Sequence, residues 1–141
     1  MTFTVTLHPA ERAFDVARDE TILSAAIRAG VGLPYGCRDG ACGSCKSRLR
    51  EGRVIHGAHQ RKALSEQEEA DGLILTCCAT PQTDCVVEAR MVVGAGEYPI
   101  SKLPGRVLSM ARPGDDVAVV RIQLPATQPL RYRAGQYGEV I

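Results

Sequence analysis

Residues 33–46 read Leu-Pro-Tyr-Gly-Cys-Arg-Asp-Gly-Ala-Cys-Gly-Ser-Cys-Lys, and this stretch decides the fold. Its three cysteines, Cys37, Cys42 and Cys45, follow a C-x₄-C-x₂-C pattern. A further cysteine, Cys77, lies in a second motif, Leu-Thr-Cys-Cys-Ala-Thr-Pro. Three closely spaced thiols and one distant thiol indicate a metal centre that is enclosed largely by one curled loop.

The cysteine spacing is that of plant-type [2Fe–2S] clusters, in which four thiolates converge on two sulfide-bridged irons. The sequence therefore predicts one [2Fe–2S] cluster as cofactor. Its predicted ligands are Cys37, Cys42, Cys45 and Cys77.

The composition of the loop also suits a cluster. Glycine adopts positive φ and allows close approach of the backbone, and small neighbours leave room for the irons. Backbone N–H groups of such a loop can point at the sulfurs and offset their negative charge. Arg38 and Asp39 are expected at the solvent edge, as acceptor-docking residues or as solvated charges. The predicted supporting residues of the loop are Gly36, Arg38, Gly40, Ala41, Gly43 and Ser44.

Other uses of these side chains are less favoured. Structural zinc sites usually have paired C-x₂₋₄-C knuckles on both sides, whereas only one half of this pattern is present. A disulfide framework would normally accompany a signal peptide, and none is visible. His56 and His59 have H-x₂-H spacing, but a Rieske centre would need them in place of cysteines, and the cysteine set is already complete.

Cys78 is an alternative to Cys77 as the fourth ligand. Adjacent residues of an extended chain point in opposite directions, so only one of the two thiols is expected to face the irons. The thiol left over, together with Cys85, is interpreted as a small buried hydrophobic side chain.

Residues 33–46, with Ala-Leu-Ser-Glu-Gln-Glu at 63–68 and Leu-Thr-Cys-Cys-Ala-Thr-Pro-Gln-Thr-Asp at 75–84, resemble a known family. They are similar to the N-terminal ferredoxin domain of NAD(P)H-dependent iron–sulfur flavoprotein reductases. That family includes reductase components of bacterial oxygenases and the CDP-6-deoxy-3,4-glucoseen reductases. The resemblance covers about residues 1–93, and its Leu-x-Cys-x-Ala-x-Pro register favours Cys77 as the ligand.

The remaining pattern predicts an α+β fold with a β-grasp arrangement. Alternating apolar residues at 2–7 and 12–17 indicate a hairpin. A helix follows, with Asp19 or Thr21 as its N-cap and Gly30 at its end. A second, short helix opens with a capping box at Ser65. The predicted division is a ferredoxin domain at 1–93, a linker at 94–103 and a further unit at 104–141.

The last unit resembles the opening strands of the flavin-binding barrel of the same reductases. Strands are predicted at 105–112 and 117–124, with further strand signals at 132–137. We therefore expect an incomplete antiparallel β-barrel, with FAD only if further sequence supplies the flavin-recognising motif and the nicotinamide domain. Residues 91–96 look like the start of a dinucleotide fingerprint, but Pro99 breaks the helix that such a site needs.

Composition and resemblance together limit the function. A formal net charge of +1 does not indicate a basic surface of the kind that binds nucleic acid. No apolar run is long enough for a membrane span. Six cysteines without a signal peptide predict a cytoplasmic protein. The resemblance implies one-electron transfer from a flavin to an acceptor protein, which is an oxygenase, a dehydratase or another acceptor. The alternatives are a stand-alone carrier with a separate flavoprotein donor, and a zinc-binding or non-redox β-grasp module.

Overall fold

A computed structural model describes residues 1–92, 101–132 and 140 of the chain. The chain divides into two compact units, Met1–Glu97 and Tyr98–Ile141. The elements in chain order are β1 (Thr2–His8), β2 (Arg12–Ala17), α1 (Ile22–Arg28), β3 (Lys46–Glu51), β4 (Val54–His56), α2 (Glu66–Ala70), β5 (Leu73–Leu75), β6 (Ala79–Pro81), β7 (Cys85–Glu88), β8 (Arg106–Gly114) and β9 (Val117–Gln123).

The first unit contains a five-stranded mixed sheet with the strand order β2-β1-β7-β3-β5. Strand β1 runs parallel to β7, with Val5 opposite Cys85, and the other neighbours in the sheet are antiparallel. The predicted α+β, β-grasp fold class is confirmed by this ferredoxin-like sheet with few helices. Strands β4 and β6 form a separate two-stranded sheet.

The hydrophobic core follows the alternation that the sequence predicts for the first two strands. Val5 and Leu7 of β1 and Phe14 and Val16 of β2 are buried, while most of the residues between them remain at least partly exposed. Burying each such side chain contributes roughly 1.5–3 kcal/mol. The buried residues of α1 that pack into the same core are Ile22, Leu23, Ala25 and Ala26.

Helix α1 has both of its ends defined by local chemistry. Of the two predicted N-caps, Thr21 is the one used, and its side chain accepts a hydrogen bond from the Ser24 amide at 3.3 Å. Gly30 has φ +67, a left-handed conformation that suits glycine after a helix end. Glu20 and Arg28 form an ion pair across the helix, with an Nη2–Oε2 distance of 2.8 Å.

Helix α2 carries the predicted capping box. The Ser65 side chain accepts from the Glu68 amide at 3.2 Å, and the Glu68 carboxylate accepts from the Ser65 amide at 2.9 Å. Glu68 also pairs with Lys46 at 2.6 Å, so α2 is attached to the start of β3. Strand β5 follows α2 and leads directly to Cys77.

The second unit, where the structure describes it, is a hairpin of β8 and β9, which pair in an open two-stranded antiparallel sheet. Both strands were predicted within two residues of these bounds, and their side chains are exposed along their whole length. Most of the dinucleotide-like segment at 91–96 and of the predicted linker falls on residues 93–100, and most of the strand signals at 132–137 fall on 133–139. Both lie outside the described residues.

Among residues 1–92 and 101–132, no helix is both long and apolar enough to cross a membrane.

Candidate metal centre

Cys37 and Cys42 lie on the exposed loop between α1 and β3, and each sulfur receives the amide of the other residue. The Cys37 N–H donates to Cys42 Sγ at 3.4 Å, and the Cys42 N–H donates to Cys37 Sγ at 3.4 Å. Both cysteines are exposed. This reciprocal arrangement holds the two thiols together at the surface of the loop.

Cys45 and Cys77 form the buried half of the centre. Their Sγ atoms are 3.3 Å apart, and the two residues are 3% and 8% exposed. The sheet causes this approach, because Lys46 at the start of β3 is the register partner of Leu75 at the end of β5. Cys45 directly precedes Lys46, and Cys77 follows Leu75 by two residues. Both cysteines therefore lie at the same end of this pair of strands.

The four predicted ligands thus occur as two pairs. Each iron of a [2Fe–2S] cluster takes two thiolates, so a donor set divided two and two suits such a cluster. Two sulfurs on one tetrahedral metal, at metal–sulfur distances of roughly 2.3 Å, lie roughly 3.8 Å apart. The 3.3 Å separation of the Cys45 and Cys77 sulfurs is close to this value. The residues present fit a two-iron cluster.

The loop directs backbone N–H groups at the exposed thiols. The Ala41 amide donates to Cys37 Sγ at 3.3 Å, and the Ser44 amide donates to Cys42 Sγ at 3.4 Å. The Ser44 hydroxyl oxygen lies 3.3 Å from Cys42 Sγ. These partial positive charges are suited to stabilise thiolate sulfur.

Two glycines of the loop, Gly36 and Gly40, lie so close to neighbouring residues that an added side chain would be crowded. A Cβ at Gly36 would lie 3.0 Å from Cys42 Sγ, and one at Gly40 would lie 2.7 Å from the His59 Cβ. Gly40 and Gly43 both have φ +78. Arg38 also has a left-handed φ of +67, which is uncommon for a residue with a side chain, and it is exposed with Asp39 as predicted.

The pKa of the Cys42 thiol is shifted in the opposite direction to the pKa of the buried Cys45 and Cys77 thiols. Hydrogen bonds from the Cys37 amide, and then from the Ser44 hydroxyl and amide, lower the pKa of Cys42 to about 6. Burial raises the pKa of Cys45 and of Cys77 above the usual range. Of these three thiols, Cys42 on the exposed loop is therefore the most easily ionised.

Cys78 does not point away from the other cysteines, as the alternation of an extended chain had suggested. Residues 76–78 form a turn, in which the Cys78 amide donates to the Leu75 carbonyl at 3.0 Å. As a result, the Cys78 and Cys77 Sγ atoms are 3.5 Å apart. Cys78 is nevertheless buried, as predicted for a small apolar side chain, and so is Cys85.

The two histidines are held by separate hydrogen bonds. His56 Nδ1 lies 2.8 Å from the Glu69 carboxylate, and His59 Nδ1 lies 2.9 Å from the Gly57 carbonyl. His56 Nε2 is buried and has no hydrogen-bond partner among the described residues. His59 instead packs closely against the backbone of Gly40. The only sign of this contact in the sequence is the glycine at position 40.

Comparison with known proteins identifies the family. Residues 5–82 match the family described as "2Fe-2S iron-sulfur cluster binding domain", which is more than half of the chain. The chain belongs to this family. The predicted ferredoxin domain with one [2Fe–2S] cluster is confirmed by this membership, and so is electron transfer as its function.

Relatives of this 2Fe-2S domain protein are reductases. The chain is 33% identical over 141 residues to the CDP-6-deoxy-L-threo-D-glycero-4-hexulose-3-dehydrase reductase of Yersinia pseudotuberculosis, covering 100% of this chain and 42% of that protein. It is 36% identical to the reductase subunit of an aromatic O-demethylase from Amycolatopsis, covering 100% of this chain and 41% of that protein. The predicted resemblance to iron–sulfur reductases is confirmed.

A solved structure supports the same assignment. The crystal structure of the Amycolatopsis cytochrome P450 reductase GcoB is similar with a TM-score of 0.70 and 35% identity, covering 96% of this chain and 40% of that one. The 2Fe-2S domain protein described here therefore spans about two fifths of the length of the relatives that it matches.

Proposed function

We propose that this chain is the ferredoxin portion of an NAD(P)H-dependent reductase and passes single electrons from a flavin to an acceptor protein. The observation that carries the proposal is the division of four thiols into an exposed pair and a buried pair within the matched residues 5–82. The proposed ligands of the cluster are Cys37, Cys42, Cys45 and Cys77.

When bound, a [2Fe–2S] cluster accepts and releases one electron at a time. The buried pair, Cys45 and Cys77, fixes the inner side of the site to the sheet. The exposed pair, Cys37 and Cys42, lies where a partner protein can approach, beside the exposed Arg38 and Asp39. Amides of the loop stabilise charge on these outer sulfurs. The residues of this chain therefore determine where an electron leaves the site and the electrostatic environment at that point.

The relatives support the proposed donor and acceptor. The matched proteins are a reductase of a hexulose dehydrase and a reductase subunit of an O-demethylase, and both align over all 141 residues. This alignment continues beyond the iron–sulfur family match. It supports a ferredoxin domain at 1–93, a linker at 94–103 and the first strands of a flavin-binding domain at 104–141. FAD would be held by the remainder of such a reductase, and the acceptor is an oxygenase-type or dehydratase-type protein.

The experiment is spectroscopy on the anaerobically purified 141-residue chain. We expect a red-brown protein that is reduced by dithionite and then gives a rhombic spin-½ electron paramagnetic resonance (EPR) signal. A colourless protein that contains zinc, or one that stays silent after reconstitution with iron and sulfide, would contradict the proposal.

A matched control uses the cysteine outside the centre. Cys85 is buried like Cys45, but its Sγ contacts the Thr83 carbonyl at 3.2 Å and the Arg53 carbonyl at 3.6 Å. Cys85→Ala should retain the signal, whereas Cys45→Ala should lose it. Equal loss in both variants would show that the signal reports general folding, not ligation by the proposed residues.

A further inference from the structure

The turn at residues 76–78 places a fifth thiol beside the proposed ligands. The Cys78 Sγ lies 3.5 Å from the Cys77 Sγ, and Cys77 in turn lies 3.3 Å from Cys45. Cys78 is 8% exposed, the same as Cys77. The two neighbouring thiols are therefore equally shielded from solvent and lie on the same side of the chain.

Cys78 is also held close to the cluster loop. A Cβ on Gly40 would lie 2.8 Å from the Cys78 Sγ, so this sulfur packs directly against the loop backbone. On its other side, Cys78 Sγ has one weak contact, with the Ala58 carbonyl at 3.5 Å. In the described part of the chain, the hydrogen-bond contacts of the thiol are this one and the 3.5 Å contact with Cys77 Sγ, and both are weak.

The distances are of the scale that ligand replacement needs. Sulfur ligands of one tetrahedral metal lie roughly 3.8 Å apart. The Cys78 Sγ is therefore as close to the Cys77 Sγ as a second ligand of the same metal would be. Residues 76–78 lie in a turn outside the sheet ladder, but the Thr76 and Cys78 carbonyls accept from the Leu23 and Gly57 amides at 2.9 and 2.8 Å. The movement that ligand replacement needs is therefore one of the Cys78 side chain, not of the backbone.

We propose that Cys78 is a reserve ligand, which takes the fourth position of the centre when Cys77 does not occupy it. This inference rests on the proposed function, since it presumes a cluster held by the other three cysteines. In the exchange, Cys78 loses its thiol proton and forms a bond to iron, while Cys77 gives up its bond to the same iron and takes up a proton. One iron–sulfur bond breaks and one forms, and no electron is transferred.

The test compares Cys77→Ala, Cys78→Ala and the double variant Cys77→Ala/Cys78→Ala in the whole chain. Alanine is chosen because it cannot ligate iron through oxygen, as serine can. Each protein is reconstituted anaerobically with iron and sulfide, and its iron content, sulfide content and EPR spectrum are measured. Circular dichroism of each variant shows whether it is folded.

We expect Cys77→Ala to keep most of the wild-type iron with altered g-values, Cys78→Ala to keep the wild-type spectrum, and the double variant to lose the cluster. Cys42→Ala, whose neighbours are Ala41 and Gly43, should lose it without rescue. A Cys77→Ala protein that is folded but as empty as the double variant would overturn the reserve role. Loss in Cys78→Ala alone would overturn both the reserve role and the assignment of Cys77. A wild-type chain without a cluster would instead refute the proposed function.

Discussion

The Sγ atoms of Cys45 and Cys77 lie 3.3 Å apart although the two residues are 32 positions apart in sequence. Their approach depends on the pairing of β3 with β5, which joins Lys46 to Leu75. The buried side of the metal centre is therefore a product of sheet register, whereas the exposed side is a product of local loop conformation.

Replacement of Cys42 should distinguish a ligand from a neighbouring thiol. We predict that Cys42→Ser loses the native cluster spectrum, because the exposed pair then lacks one of its two sulfurs and a serine oxygen does not reproduce thiolate ligation. Cys78→Ser should leave the cluster intact, because Cys77 remains available. Visible absorption and EPR spectra of the two variants check this, and a native spectrum from Cys42→Ser would refute the assignment.

Gly40 should tolerate no side chain. It has φ +78, and an added Cβ would lie 2.7 Å from the His59 Cβ and 2.8 Å from the Cys78 Sγ. We predict that Gly40→Ala loses most of its cluster, measured as iron per chain.

Gly30→Ala is the matched control for that substitution. Gly30 also has a positive φ, +67, but an added Cβ there would meet nothing within 4 Å. The expected cost is therefore only the left-handed strain of about 1–2 kcal/mol in unfolding free energy, with the cluster retained. Similar iron contents in the two variants would show that steric crowding at Gly40 is unimportant.

Ser44 should tune the reduction potential. Its hydroxyl lies 3.3 Å from the Cys42 Sγ and can donate to that sulfur when it is a thiolate. Hydrogen bonds to cluster sulfurs favour the more negative, reduced state, so Ser44→Ala should lower the potential by roughly tens of millivolts. Ser44→Thr keeps the hydroxyl, so its reduction potential in an EPR-monitored redox titration should match that of wild type. An unchanged potential in Ser44→Ala would contradict this role.

The Glu20–Arg28 pair should make stability depend on pH. The hydrogen bond from Arg28 holds the pKa of the Glu20 carboxyl below its usual range. Such a group stabilises the folded state above the unfolded-state pKa of about 4.3, and this contribution disappears as the pH falls through the lower folded-state value. Glu20→Gln should therefore have a lower Tm than wild type near neutral pH.

The difference in Tm should narrow as the pH falls toward the lowered folded-state pKa of Glu20, because residue 20 then becomes uncharged in both proteins. Thermal melts of the two proteins, followed side by side from about pH 3 to about pH 7, measure this gap directly. A gap that stays constant over the whole range would mean that the carboxylate charge contributes nothing.

The features that sequence predicted best are those with local causes. Helix α1 is capped by Thr21 and is followed by Gly30 in a left-handed conformation, and both features depend on a few adjacent residues. The C-x₄-C-x₂-C spacing is likewise a local signature, and it correctly indicated the iron–sulfur family.

The features that the sequence did not predict depend on contacts between distant residues or on the backbone conformation of a few residues. The turn at 76–78 brings Cys78 toward Cys77, whereas an extended chain would have separated them. The parallel register of β1 with β7 joins segments at opposite ends of the first unit, and no local pattern specifies it. Similarly, nothing in the sequence around Arg38 required its positive φ.

The parallel pairing of β1 with β7 has a consequence for the order of events during synthesis. Val5 pairs with Cys85, so the centre of the sheet can assemble only after almost the whole first unit has been made. Contacts of such large sequence separation slow folding, because a long loop must close before they form. Until residue 85 has been made, the three cysteines of the loop, Cys37, Cys42 and Cys45, therefore have no completed sheet beside them.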